Sequence, residues 1–442
     1  MNLSSKYLFE RVDNSQLVLF RIAFGALMAL ESWGAIGTGW VKRAFVDTQF
    51  TFTFIGFEWL SFLHGEMMYA FYIVMGIFGI FVMLGFRYRL SSIILFIMWT
   101  ATYLLQKTSY NNHYYLVVLL SAFMAVVPAH ASNSLDSRKN KVHTASCPRW
   151  SLLMFQVQVA IVYFYAAIAK IYPDWLHAVP AQMWLSMKRD YFLIGGLLQE
   201  EWMPYFISYG GILFDALIIP GLLWKKTRPW AFGLSIFFHL FNSAVFQVGI
   251  FPYLMVAISA FFFPVEQIRK IFFKNRQVLS PSSSQITMIS SHSIWMGILG
   301  AYFLIQIILP IRHHFFQGDV FWTEEGHRMS WRMMLRSKSG GIDFIVIDHQ
   351  KKDTTRVTPT KYLSSKQGRV IATRPDMAWQ FVQFLKGELE KDGIRDYSIY
   401  ANSWARLNKG NSAPLISREI DLAAVKWEPF QHSDWLMPMP KE

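Results

Sequence analysis

The chain has 442 residues, of which 53% are hydrophobic and only 16% are charged. A soluble domain carries roughly 25% charged residues, so this composition excludes an ordinary soluble protein. The formal net charge is +13, but the basic residues cluster in short loops between apolar runs, which indicates membrane topology rather than nucleic-acid binding. The single cysteine, Cys147, excludes an intramolecular disulfide framework.

Apolar runs long enough to cross a bilayer recur throughout residues 1–311. They predict an all-α polytopic membrane bundle of about nine spans, forming a domain that covers residues 1–311. The first run has no convincing small-residue cleavage site and is predicted to be a retained span. The spans are predicted near residues 16–36, 67–85, 90–106, 113–128, 151–171, 204–224, 229–247, 250–264 and 292–311.

The loops between these spans differ in positive charge. Because loops rich in lysine and arginine stay inside, the distribution predicts an inside N-terminus and places residues after about 312 outside, in a periplasm or a lumen. The basic residues assigned to the inside are Lys6, Arg11, Arg87, Arg89, Arg138, Lys139, Lys141, Arg149, Lys225, Lys226, Arg228, Arg269, Lys270, Lys274 and Arg276, against Lys42, Arg43, Lys107, Lys188 and Arg189 outside.

Asn112 and His113 open the fourth predicted span, on the outer side. An imidazole and an amide can both donate and accept hydrogen bonds, which suits a reaction centre. The alternative is an interfacial helix cap, because these residue types also favour helix starts at membrane edges.

Lys170 ends the fifth predicted span and shares a helical face with Tyr163. A lysine inside an apolar run is costly, and it is therefore a functional hypothesis by default. One interpretation is a desolvated amine that acts as a general base. The alternative is a lysine that extends to the outer headgroups or pairs with Asp174.

The sixth and seventh spans also contain polar residues. His239 and Asn242 lie three residues apart on one face of the seventh span, and Asp215 lies in the sixth. Polar side chains in an apolar helix need partners, so a structural hydrogen bond between helices and a functional role are both open.

The remaining sequence is polar. A flexible inside loop is predicted at residues 280–284, and residues 312–442 are predicted to form a small extramembrane α+β domain. Short β-type runs lie at 344–347, 369–372 and 397–400, and helical patterns lie near 327–338 and 375–391. The aromatic and basic segment 322–336 is either an interfacial helix or a cradle for an anionic substrate. No metal site is predicted.

Several segments, in the same order, carry a resemblance to a known family. They are 107–116 (Lys-Thr-Ser-Tyr-Asn-Asn-His-Tyr-Tyr-Leu), 161–175 (Ile-Val-Tyr-Phe-Tyr-Ala-Ala-Ile-Ala-Lys-Ile-Tyr-Pro-Asp-Trp), 239–251, 329–334 and 427–431. On these segments the chain resembles the vitamin K-dependent γ-glutamyl carboxylases, in a shorter bacterial form.

The resemblance implies a carbon–carbon lyase that couples oxygenation of reduced vitamin K, of the phylloquinol or menaquinol type, to carboxylation of protein glutamate. Its co-substrates are O₂ and CO₂, and its partners are a glutamate-containing protein or peptide and membrane lipid, with no nucleic acid. In the family, the lysine matching Lys170 deprotonates the hydroquinone, and an alkoxide formed with oxygen then removes a glutamate γ-hydrogen. The resemblance implies catalytic roles for Lys170, His113 and Asn112, cofactor binding by Tyr163, His239 and Asn242, and substrate binding by His327, Trp331 and Arg336.

The chain also departs from the family pattern. Tyr110 replaces a tryptophan, and the outer segment carries His327 and Arg336 where the animal enzymes have a tyrosine and a histidine. The animal disulfide is impossible with one cysteine, and the short tail is expected to lack propeptide recognition. Two alternatives therefore stay open: quinol epoxidation without glutamate carboxylation, and a non-enzymatic transporter or scaffold on the same fold.

Overall fold

A computed structural model describes residues 3–141, 144–246, 248–274 and 292–440. The inside loop predicted at 280–284 lies outside these residues. The helices are α1 Leu3–Phe9, α2 Ser15–Gly37, α3 Met67–Leu84, α4 Tyr88–Leu105, α5 Asn112–Val126, α6 Leu135–Lys139, α7 Trp150–Ala169, α8 Pro173–Leu176, α9 Val179–Ser186, α10 Gly195–Leu198, α11 Met203–Leu223, α12 Arg228–Phe246, α13 Phe251–Ile258, α14 Val265–Phe272, α15 His292–Ile311, α16 Val320–Thr323, α17 Ser365–Ile371 and α18 Pro375–Lys391. The strands are β1 Arg11–Asp13, β2 Ser146–Pro148, β3 Lys338–Asp348, β4 Asp353–Val357 and β5 Tyr397–Leu407.

Seven helices in the described part of the chain are long and apolar enough to cross a membrane: α2, α3, α4, α7, α11, α12 and α15. Each has at least 18 residues, which approaches the roughly 20 residues that a bilayer core requires. The prediction of a polytopic helical membrane bundle is therefore confirmed.

Two of the nine predicted spans differ from simple crossings. The fourth is α5, whose 15 residues are short for a full crossing. The eighth is broken, since the helical segment Phe251–Phe262 and α14 meet at an angle of 119°. Pro264 lies at this break, and the residue before a proline is disfavoured in helical conformation. The described residues thus hold seven spans, or eight if the bent pair counts as one.

Glycines allow α2 and α3 to pack closely. A Cβ atom added to Gly25 on α2 would lie 2.4 Å from the backbone nitrogen of Met83, and one added to Gly79 on α3 would lie 2.8 Å from that of Ala29. Small residues let membrane helices approach to van der Waals contact.

The C-terminal part of the chain forms a three-stranded antiparallel sheet in the order β4-β3-β5, with α18 packed on it. Phe344 pairs with Val357 on one side and with Ala401 on the other, and its ring packs against Phe381 of α18. The core also contains Phe52, which belongs to the connection between α2 and α3. The predicted small α+β domain is confirmed, and its predicted second helix is α18.

Two local predictions in this part are wrong. Residues 327–338 are not helical, because Met329, Trp331 and Met334 all have positive φ angles and the segment follows an irregular path. Residues 369–372 are not a strand, because α17 extends to Ile371. A capping box between Ser364 and Gln367 starts α17, and this local signal outweighs the β-branched residues that follow.

A buried ion cluster joins the two parts of the chain. Lys107, between α4 and α5, places its Nζ 2.6 Å from Oδ2 of Asp376, and Arg328 binds both oxygens of the same carboxylate at 2.8 and 3.0 Å. Burial lowers the pKa of Lys107 to about 8 even though Asp376 opposes the shift. Burial would raise the pKa of Asp376, but Arg328 and Lys107 outweigh it and hold that pKa well below its usual range.

Candidate active site

Lys170 forms a buried ion pair in the membrane bundle. It follows the last residue of α7, and its Nζ donates to Oδ2 of Asp215 on α11 at 2.5 Å and to the carbonyl of Ala166 at 3.2 Å. The two charged residues are only 8% and 6% exposed. Asp174 instead accepts a hydrogen bond from Asn408 at 2.6 Å. Neither alternative placement of the lysine, at the headgroups or beside Asp174, occurs.

A cavity of about 110 Å³ adjoins this pair. At roughly 10–15 Å³ for each water-sized group, it approaches the size of one bicyclic aromatic ring. Its walls are aromatic and aliphatic except for a few polar groups, and we call it the lysine cavity. It is lined by His113, Tyr163, Lys170, Trp175, Trp184, Ile207, Gly211, Asp215, Phe238, His239, Asn242, Phe246, Val248, Phe251, Met333 and Met334.

Two histidines lie on the wall of the lysine cavity. His239 Nε2 is 2.9 Å from the hydroxyl of Tyr163, whereas its Nδ1 is buried without a hydrogen-bond partner among the described residues. The ring of His113 stacks on Phe251 with 4.0 Å between centroids, and Phe251 also meets His239 edge-on at 5.8 Å. The structure therefore brings His113, Tyr163 and His239 together around the Lys170 amine.

Asn112 does not line the cavity. Its carbonyl oxygen accepts from the Tyr110 hydroxyl at 2.9 Å, and its amide donates to the Arg332 carbonyl at 3.1 Å. It therefore connects the start of α5 to the irregular segment 329–334, whose Met333 and Met334 cover one end of the cavity. We infer that Asn112 positions this cover and does not contact a ligand in this conformation.

The three residues predicted to hold glutamate lie outside the lysine cavity. Arg336 contacts the Glu324 carboxylate and lies 2.8 Å from His327 Nε2. Trp331 is 1% exposed, and its ring packs 5.2 Å from that of Tyr115. The structure does not bring these residues to Lys170, and their roles in substrate binding stay predictions.

Glu324 is the centre of a second buried ion cluster. Its carboxylate contacts Arg336 and lies 3.7 Å from Lys338 and 3.6 Å from Arg374. Burial would raise the pKa of Glu324, but Arg336 and the other cations outweigh it and hold that pKa well below its usual range. Burial, reinforced by Arg336, lowers the pKa of His327 well below its usual range. Burial also lowers the pKa of Lys338 to about 7.

Sequence reasoning noted Asp215 but did not pair it with Lys170. The available signal was an acid in one apolar span and an amine in another, which are expected partners because each is costly alone. Glu324 was missed entirely as the centre of an ion cluster. Its positive φ of 65° and its partners, far along the chain, leave no periodic pattern.

Comparisons with known families cover most of the chain. The HTTM domain model matches residues 9–266, and the model described as vitamin K-dependent gamma-carboxylase, lumenal domain, matches residues 291–442. No solved structure matches the chain. The first match contains the lysine cavity's helices and the second contains Met333, Met334 and the Glu324 cluster. The chain therefore belongs to the vitamin K-dependent gamma-carboxylase family.

Proposed function

We propose that the protein is a membrane enzyme that oxygenates a reduced naphthoquinone in the lysine cavity and uses this reaction to carboxylate glutamate in a peptide. The Lys170–Asp215 pair carries this proposal, because it places an amine on the wall of a mostly apolar cavity in a chain of this family. Oxygenation of reduced vitamin K supplies a base strong enough to remove a glutamate γ-hydrogen.

The residues of the lysine cavity fit a naphthoquinol. Its walls are mostly apolar, and Nδ1 of His239 is a buried polar atom without a hydrogen-bond partner among the described residues, which a quinol hydroxyl could satisfy. Tyr163 fixes the other ring nitrogen of His239. His113, stacked on Phe251, contributes a second imidazole to the wall.

Lys170 and Asp215 can exchange one proton across the 2.5 Å between Nζ and Oδ2. With the proton on Asp215, the amine is free to accept a proton from a quinol hydroxyl. The pair then holds two protons, one on the ammonium of Lys170 and one on Asp215. When the Asp215 proton leaves to solvent, the resulting carboxylate stabilises the ammonium, so Asp215 is part of the proposed machinery.

Aromatic side chains, together with Met333 and Met334, line the cavity and would limit the access of water to a ring bound there. A strong base survives only where water cannot quench it, so this cover supports the proposed chemistry. The lysine end of α7 also contacts the C-terminal domain, since the Tyr172 hydroxyl donates to the Leu335 carbonyl. The loop charges predict that this domain lies outside, and we propose that the active site faces the periplasmic or lumenal side with it.

A second candidate function is quinol epoxidation without glutamate carboxylation. It is favoured by one observation: Arg336 and His327, the predicted ligands for glutamate, are already held by Glu324 and by each other. A transporter or scaffold role is the third alternative, and it requires no turnover at Lys170.

The test is an assay of the purified protein with reduced vitamin K, O₂, CO₂ and a glutamate peptide, in which epoxide and carboxylated product are measured separately. Lys170→Ala is expected to abolish both products, whereas Lys188→Ala, at an outer loop amine, serves as the matched control. Epoxide formed by Lys170→Ala at the rate of the unaltered protein would refute the assigned base. Epoxide without carboxylated product would establish the second candidate, and no product at all would favour the third.

A further inference from the structure

A long groove between α11 and α12 opens on the outside of the bundle. Its volume is about 490 Å³, and none of its lining side chains is charged. Most of them are large and apolar, and several are strongly exposed, including Leu217 at 60% and Trp230 at 83%. The lining residues are Phe206, Ile207, Gly210, Gly211, Leu213, Phe214, Leu217, Ile218, Thr227, Trp230, Ala231, Leu234, Phe237, Phe238, Phe241 and Asn242.

The groove adjoins the lysine cavity. Ile207, Gly211, Phe238 and Asn242 line both spaces. Gly211 brings the backbone of α11 next to the base, because a Cβ atom added there would lie 3.6 Å from Cε of Lys170. The groove therefore lies beside the Lys170–Asp215 pair, with Gly211 of α11 between them.

The two spaces differ in size, so each would hold a different part of one ligand. The lysine cavity approaches the size of a bicyclic ring and leaves no room for a long substituent. The groove follows α11 from Phe206 to Ile218, which at 1.5 Å per residue is about 18 Å. An apolar chain attached to a ring in the cavity would thus find an apolar channel at its exit.

We propose that the α11–α12 groove binds the prenyl tail of the quinol and admits it from the bilayer. This inference rests on the proposed function for the identity of the ring, and on the groove's own geometry for the tail. The occupant is a prenyl chain and not a phospholipid, because four residues of the lining are shared with a cavity of ring size. The basic residues next to the lining, Lys225, Lys226 and Arg228, flank Thr227, which does not line that cavity.

Gly210 offers a selective test because it lines the groove but not the lysine cavity, and a Cβ atom there would meet nothing within 4 Å. Gly210→Leu fills the groove. For this variant we compare kcat/KM for a long-tailed menaquinol with kcat/KM for menadiol, which has no tail. The ratio of the two values is expected to fall by about tenfold. This change equals about 1.4 kcal/mol, or the loss of burial of roughly two methylene groups. Gly233→Leu is the matched control, since Gly233 has equally open surroundings on α12 and does not line the groove. An unchanged ratio in Gly210→Leu would overturn the inference.

A binding experiment tests the groove without turnover. The full chain in detergent micelles is irradiated with a naphthoquinone that carries a diazirine on its prenyl tail, and the adducts are mapped by mass spectrometry with and without added phosphatidylethanolamine and phosphatidylglycerol. Adducts on the facing sides of α11 and α12 that menaquinone displaces, and added phospholipid does not, support the inference. Adducts elsewhere, or adducts that phospholipid displaces equally, overturn it. Failure of every naphthoquinol to turn over would refute the proposed function. The adduct map would still show whether the groove binds the prenyl tail.

Discussion

Replacing Asp215 by asparagine removes the charge that faces the Lys170 amine while keeping the size of the side chain. In the proposed reaction, the ammonium formed when Lys170 takes a proton loses its partner in this variant. The Ala166 carbonyl, 3.2 Å from Nζ, is the acceptor that remains. We therefore expect quinol oxygenation to slow sharply.

The size of the loss follows from the geometry of the pair. Two unit charges about 2.5 Å apart attract by about 6–7 kcal/mol at an effective dielectric constant of 20, before desolvation is counted. Removing one partner from a buried pair costs about 3–5 kcal/mol in practice. If the whole of this cost falls on the protonated form of Lys170, the rate of epoxide formation drops roughly 10²- to 10⁴-fold.

The assay measures the initial rate of epoxide formation at saturating menaquinol, with melting temperature as a check on folding. Asp215→Glu restores the charge and is expected to recover part of the rate. Asp174→Asn is the matched control, because Asp174 lies four residues from Lys170 but accepts its hydrogen bond from Asn408. A near-normal rate in Asp215→Asn, or an equal loss in Asp174→Asn, would refute the reasoning.

Three further predictions concern the ion clusters and the helix packing. Arg336→Ala is expected to lower the free energy of unfolding by about 3–5 kcal/mol, because buried Glu324 loses its nearest cation; reduced carboxylation with an unchanged melting temperature would instead show that Arg336 holds substrate. Acidification from pH 7 to pH 4 is expected to lower the melting temperature steadily. The folded state lowers the pKa values of His327 and Glu324, so only the unfolded chain binds a proton at His327 below about pH 6.5 and at Glu324 below about pH 4.3. A melting temperature that does not change with pH would contradict this prediction. Gly25→Ala is expected to reduce the yield of folded protein, because its Cβ would overlap the backbone of α3. Gly34→Ala is the control and is expected to leave the yield unchanged, because a Cβ there meets nothing within 4 Å. Equal yields of the two variants would argue against close packing of α2 and α3.

The membrane bundle could be predicted from the sequence because hydropathy is a local property of the chain. Local patterns did not predict the backbone conformation where tertiary contacts determine it. Residues 327–338 have a helical pattern, but their carbonyls accept hydrogen bonds from distant side chains, such as those of Asn112, Arg312 and Tyr172. A sequence pattern cannot reveal such partners, which therefore appear only in the folded structure.

The candidate site shows the same division. Lys170, His113 and His239 were chosen from sequence because polar residues are conspicuous in apolar helices, and the structure brings them to one cavity. The Lys170–Asp215 pair depends instead on how α7 and α11 are placed side by side, and no spacing along the chain encodes that distance. The substrate role of Arg336 follows from the family resemblance, and nothing in the sequence indicates its internal partner, Glu324.

The position of Phe52 in the core of the C-terminal domain has a consequence for biosynthesis. This residue, before α3, contributes to a core that otherwise forms from Trp322 to Leu436, and Gln380 of α18 donates to the carbonyl of the adjacent Thr53 at 3.1 Å. At 5–20 residues per second, synthesis of the intervening roughly 300 residues takes about 15–60 s. During that interval the segment around Phe52 has been made, but the partners that cover it have not, so a delay in translation or a membrane chaperone would act on this segment.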